Sequence, residues 1–164
     1  MLALELETWR IPDVYRRFAG EIGDTHWRRR VLLLKQDIRG NRFLSDMLTK
    51  DNAIAFQLER LRESLSNVNS LPLYDVREVY PAAAFAAQVL SAIDALDRET
   101  AEQLRQRVRG AFKNPDDLRA MMLELTTATH FLRKGCSVTW PELSGKPIDG
   151  KSFDLLVHGV GPLG

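Results

Sequence analysis

Along most of this chain the hydrophobic positions recur at steps of three and four, and they give way to alternation only near its end. Ile54, Leu58, Leu61 and Leu65 form the cleanest stripe, with Glu59, Arg60, Arg62 and Glu63 on the opposite side. Trp27, Val31, Leu34 and Ile38 share a second helical face, which Asp24 caps and Gly40 ends. Shorter helices are predicted over residues 13–19, closed by Gly20, and over residues 41–50, carrying Phe43, Leu44, Met47 and Leu48. Before them, Leu2, Leu4 and Leu6 alternate with acids in a run that fits a strand or a helix opening. Residues 66–74 lack periodicity and read as a linker, with a turn following from Asp75. Pro81 then fits a helix start for the alanine-rich run 82–96, which has Phe85, Val89, Ile93 and Leu96 on one side. Small side chains let backbones come near, so this run predicts close helix–helix approach. Asp97 caps a helix bearing Ala101, Leu104 and Val108 and ended by Gly110.

The pattern changes after residue 113. Asn114 caps, Pro115 sits at the first helical position, and Asp116 and Asp117 suit the positive helix end. Leu118, Met121, Leu125, Ala128 and Leu132 form a buried stripe. Arg133 and Lys134 complement the negative end, and Gly135 supplies the left-handed stop. Residues 136–140 read as a strand, residues 141–150 as turns, and residues 152–158 as a second strand. The expected fold is therefore mainly α: a helical domain of short packed helices over 1–113, then a helix and a C-terminal β-hairpin over 114–164.

Composition narrows the functional classes. The 164 residues are 45% hydrophobic and 27% charged, with a net charge of +1, so nothing in the whole-chain charge draws it to nucleic acid or membranes. One cysteine, Cys136, excludes an intramolecular disulfide and reads as a small core residue. The apolar runs are too short for a membrane span and the acidic N-terminus is no signal peptide, so a soluble, cytoplasmic protein is expected.

Two carboxylates stand out. Glu124 lies beside the apolar stripe of its helix, and the small Ala120 and Ala128 one turn away leave it room to reach an adjacent sheet. Taken alone, it is a boundary glutamate. Asp154 interrupts Phe153, Leu155 and Val157, which turns it to the face shared with Leu156 and His158. Aspartate is disfavoured within strands, so it either discourages edge pairing or serves a site. Elsewhere, Arg28, Arg29 and Arg30 follow His26 and Trp27, but consecutive helical residues point in different directions and read as a solvated face. Arg105, Arg107 and Arg109 likewise spread around their helix. The three histidines, His26, His130 and His158, lack zinc-ligand spacing, and Gly159-Val160-Gly161 has no helix or lysine behind it to make a phosphate loop.

The order helix-Glu124, Gly135, strand, turn, strand-Asp154 resembles the opening of the PD-(D/E)xK nuclease-like fold. The resemblance covers about the last third of the chain. It implies that Asp154 and Glu124 bind Mg²⁺, that the reaction is phosphodiester hydrolysis, and that DNA or RNA is the partner. Oxygen ligands suit that hard cation. In the family a third strand supplies an acid-x-lysine pair; here His158 is followed by Gly-Val-Gly-Pro-Leu-Gly, and Lys146 and Lys151 precede Asp154. The expectation is therefore an N-terminal fragment of a nuclease-like protein, inactive by itself, with a hairpin whose free edge favours a homodimer. The alternative is a non-catalytic helical interaction or assembly module. A helical DNA-binding regulator ranks below both for want of a concentrated basic helix.

Overall fold

The computed structural model describes residues 6–66, 75–144 and 154–159. The helices are α1 (Ile11–Ile22), α2 (Thr25–Gly40), α3 (Ser45–Asp51), α4 (Ala53–Leu65), α5 (Val76–Ala95), α6 (Arg98–Ala111), α7 (Pro115–Arg133) and α8 (Pro141–Ser144). Strands β1 (Ser137–Thr139) and β2 (Leu156–His158) pair antiparallel, with Val138 opposite Val157. The chain is mainly helical with a small C-terminal hairpin, as its periodicity predicts.

α5 lies at the centre. It packs against α1, α4, α6 and α7, and Ala82, Ala83, Ala86 and Ala92 are buried among Val79, Phe85, Val89 and Ile93. Methyl-sized side chains on its buried surface let four helices approach one another's backbones, which is the close packing expected of an alanine-rich run. Phe85 also belongs to a closed ring of aromatics. Phe18 of α1 stacks on Trp27 of α2 at 5.7 Å, Trp27 meets Phe112 at 5.8 Å, and Phe112 and Phe18 each meet Phe85 edge-on. One apolar cluster continues from these residues through Leu118, Met121, Leu125 and Ala128 of α7 to Val138 and Trp140.

The N-terminal caps at Asp97 and Asn114 form as expected: Asp97 accepts from the Glu99 and Thr100 amides, and Asn114 from the Asp116 amide. Asp24 does not cap α2, since it is itself helical in φ and ψ and its carboxylate instead pairs with Arg28. Three glycines expected as stops lie inside helices. Gly20 sits within α1, Gly110 within α6, and Gly40 is the last residue of α2. A glycine costs a helix only about 1 kcal/mol, which is small against the burial of Ile22 just beyond Gly20. α1 runs on to Gly23, whose φ of +87° makes the turn.

Pro81 is likewise interior. α5 begins five residues earlier, where the Asp75 carboxylate accepts the Arg77 amide. Proline has no N–H to give and its ring crowds the carbonyl one turn back. Beside it the Ala82 N–H donates across the interface to Gln57 Oε1 of α4, at 3.0 Å. This bond ties α4 to α5 at the point where the ladder is weakest. Residues 41–50 form a 3-10 turn and α3 as predicted, but their apolar side chains do not join the core: Phe43 is 99% exposed and Met47 52%. Leu2 and Leu4, residues 67–74 of the expected linker and residues 145–153 lie outside the described residues.

Replacing Gln57 by Ala removes the cross-helix bond and should lower stability by roughly 0.5–1.5 kcal/mol in urea unfolding; an unchanged midpoint would mean that the bond carries nothing. Tyr15 is the opposite case. Its hydroxyl is buried without a hydrogen-bond partner, and burial pushes its pKa up. Tyr15→Phe should therefore match or exceed the wild type in stability, and a loss above about 1 kcal/mol would reveal a missing partner.

Candidate functional site

α7 carries Glu124 because its apolar stripe turns one face to α5 and leaves the flanking position at the border with α6. Leu125 and Ala128 are buried against the core while Leu123 is exposed, so Glu124 stands on the boundary. At the end of α7, Gly135 adopts φ +78°. The Gly135 amide then donates to the Leu132 carbonyl and the Cys136 amide to that of Phe131. These bonds close the last turn in the manner of a Schellman stop and send the chain back as β1. β1 buries Val138 and exposes Ser137 and Thr139. Cys136 is buried, in keeping with a core role, and its thiol faces the Gly159 carbonyl at 3.9 Å.

Glu124 reaches sideways to a helix. Its Oε1 accepts from Arg107 Nη2 of α6 at 2.7 Å, with the carboxylate only 14% exposed. The same guanidinium lies 3.6 Å from Glu142 of α8. The short helix α8 falls in the stretch expected to be turns alone, and it is what brings Glu142 to this cluster. Asp154 is exposed and sits at a bend two residues before β2, because the strand is shorter than residues 152–158. Leu155 and Val157 pack against the core, while Asp154 stands outside the strand whose alternation was to orient it.

The charge of Asp154 nevertheless reaches Glu124. Burial raises the pKa of Glu124 most; Arg107 opposes this by charge and hydrogen bond, and the negative charges of Asp154 and Glu142 push it up again. Two carboxylates, Glu124 and Glu142, thus flank one guanidinium at the meeting of α6, α7 and α8, and the charge of Asp154 reaches Glu124 from the approach to β2. Glu142 is the member that the sequence reading did not name, and Arg107 it read only as one of three arginines spread around their helix. Arg107 follows Leu104 and precedes Val108 on the buried side of α6, a position where a cation needs a partner.

These carboxylates have the oxygen donors that a hard cation takes. As arranged, they do not close a metal site. Among the described residues no three acid, histidine or cysteine side chains come near enough to hold an ion, and Glu124 is already bonded to Arg107. A shallow groove of about 360 Å³ runs beside the cluster between α6 and α7, floored by Gly110, Ala111 and Ala120. Small residues leave it open.

The raised pKa has a testable sign. The folded chain holds the Glu124 proton more readily than the unfolded chain does, so this group's contribution is fully present at low pH. It is lost as pH rises through the window between the unfolded and folded values. Wild-type stability relative to Glu124→Gln should accordingly fall as pH rises out of the ordinary carboxylate range, then level off. In NMR titration the Glu124 midpoint should drop in Asp154→Asn and climb in Arg107→Met; a midpoint indifferent to Asp154 would place the two acids out of reach. Among the described residues no helix is long and apolar enough to cross a membrane. No family model, curated protein or solved structure matches the chain.

Proposed function

We propose that this chain is part of a Mg²⁺-dependent nuclease-like protein of the PD-(D/E)xK kind, with Glu124 and Asp154 as two of its metal-binding carboxylates. The supporting observation is electrostatic. Asp154, 30 positions from Glu124 and marked out with it only by order along the chain, adds its negative charge to the field that raises the Glu124 pKa. Like charges held together favour a cation between them. Arg107 bonds the Glu124 carboxylate, and a cation beside such a carboxylate is also where a phosphodiester would be drawn. In this reading DNA or RNA is the substrate, and the remaining acid and the lysine are not supplied by the described residues. The chain alone then binds Mg²⁺ weakly and does not cleave.

A second reading has an observation of its own. Arg107 already compensates Glu124, while Leu32, Leu33, Phe43, Leu44 and Met47 remain exposed on α2, α3 and the turn joining them. Those features favour a non-catalytic helical assembly module, in which the hairpin's free edges pair with a second copy.

Titration calorimetry with Mg²⁺ separates the two. The nuclease reading expects weak binding to the wild type, abolished by Asp154→Ala and strengthened by Arg107→Ala, which frees Glu124. Equal and negligible heats in all three proteins would sink it and leave the assembly module.

A further inference from the structure

A second cluster of charge lies on another side of α6. On α2, His26, Arg29 and Arg30 recur at steps of three and one, and Leu33 continues the same face at i+7. Facing them at the C-terminal end of α6 are Arg109 and, just past the helix, Lys113, again four apart. The groove between the two elements encloses about 600 Å³, within the range of small-molecule sites. Among the described residues its wall contains no acid. For a chain whose net charge is only +1, that is a local excess of one sign.

The cations are held in place, and among the described residues Arg109 alone of them pairs with an acid. Arg109 donates from Nε to the Ile22 carbonyl at 2.9 Å and from Nη2 to that of Glu21 at 3.0 Å, which fixes it against the end of α1. Its Nη1 faces Glu102 at 3.3 Å, outside the groove. Arg30 donates from Nε to the amide oxygen of Asn52, a neutral partner. Arg29 and Lys113 are exposed and have no acidic partner among the described residues. Phe112, a member of the aromatic ring, forms the floor. The half-buried His26 registers the field: burial lowers its pKa most, and the charges of Arg109 and Lys113 lower it further.

We propose that the groove between α2 and the end of α6 binds phosphate groups of an organic phosphate ester, with Arg29, Arg30 and Lys113 as the contacting cations. Arginine matches phosphate oxygens in pairs and lysine meets them as a point charge. Leu33 and the Phe112 floor place apolar surface beside the cations, which suits an ester better than a bare ion. The site is independent of the carboxylate cluster, because Arg107 leaves α6 towards α7 whereas Arg109 leaves it towards α1.

The test is binding of pyrophosphate, a nucleoside diphosphate and a short single-stranded oligonucleotide at low salt, followed by calorimetry and by the His26 NMR titration. The two esters should bind more tightly than pyrophosphate, with affinity falling as salt rises. Bound phosphate should move the His26 midpoint upward, since an added anion favours the imidazolium. The double substitution Arg29→Glu, Lys113→Glu, confined to exposed side chains, should weaken binding by about tenfold or more, while Asp154→Ala leaves it unchanged. An oligonucleotide that outbinds the diphosphate identifies a strand as the ligand, and the reverse identifies a nucleotide. No binding by any probe overturns the proposal. So does binding that survives the charge reversal, or that Asp154→Ala removes.

Discussion

The packing of α5 is the constraint on which the other elements depend. A helix that must touch four neighbours cannot present large side chains to all of them, and alanines at 82, 83, 86 and 92 solve that steric problem. Their cost is thin apolar burial per residue, since a methyl contributes far less than a leucine. The aromatic ring compensates where α5 meets α1 and the end of α6, with Phe85 filling the space that the neighbouring alanines leave. α2 packs mainly on α4, and Trp27 is its aromatic contact to Phe112 at the end of α6. The groove between α2 and α6 is a consequence of that contact.

The carboxylate cluster depends on the same helix from its other side. α7 lies along α5 through Leu118, Met121, Leu125 and Ala128, and this fixes its rotation. With the stripe buried, Glu124 has only the α6 border to occupy. A buried-edge carboxylate without a cation would carry the full desolvation penalty, and Arg107 offsets part of it. What remains is a raised pKa, the mark of burial and of neighbouring acids outweighing one guanidinium. The ion pairs at the surface are of another kind. Arg17 with Asp94 and Arg60 with Glu78 are half exposed and contribute little.

What the sequence made legible follows from how local each signal is. The Asn114 cap, the α7 stripe, the Gly135 stop and the strand after it are read from neighbouring residues, and each is in place. The stops at Gly20, Gly40 and Gly110 and the start at Pro81 misled because punctuation was weighed without its tertiary context. A stripe that continues past a glycine outweighs the glycine, and Gln57, 25 positions from Ala82, supports the chain beside Pro81. The partners of Arg107 and Arg109 were beyond reach for the same reason. Both needed the rotation of α6 against α1 and α7, which no local pattern encodes.

That rotation also explains why three arginines at alternate positions do three different things. At about 100° per residue, positions 105 and 109 return to nearly the same side of a helix, while 107 lies roughly opposite. Arg105 accordingly meets Glu21 of α1, and Arg109 meets the last carbonyls of α1 a turn further on. Arg107 turns to Glu124 of α7. α6 thereby separates a region of excess negative charge from one of excess positive charge in a chain that is almost neutral overall. Pairing these groups with one another would have been the cheaper arrangement for stability. Their segregation leaves each region short of counter-charge, and a ligand of opposite sign can supply it on either side without competition from the other.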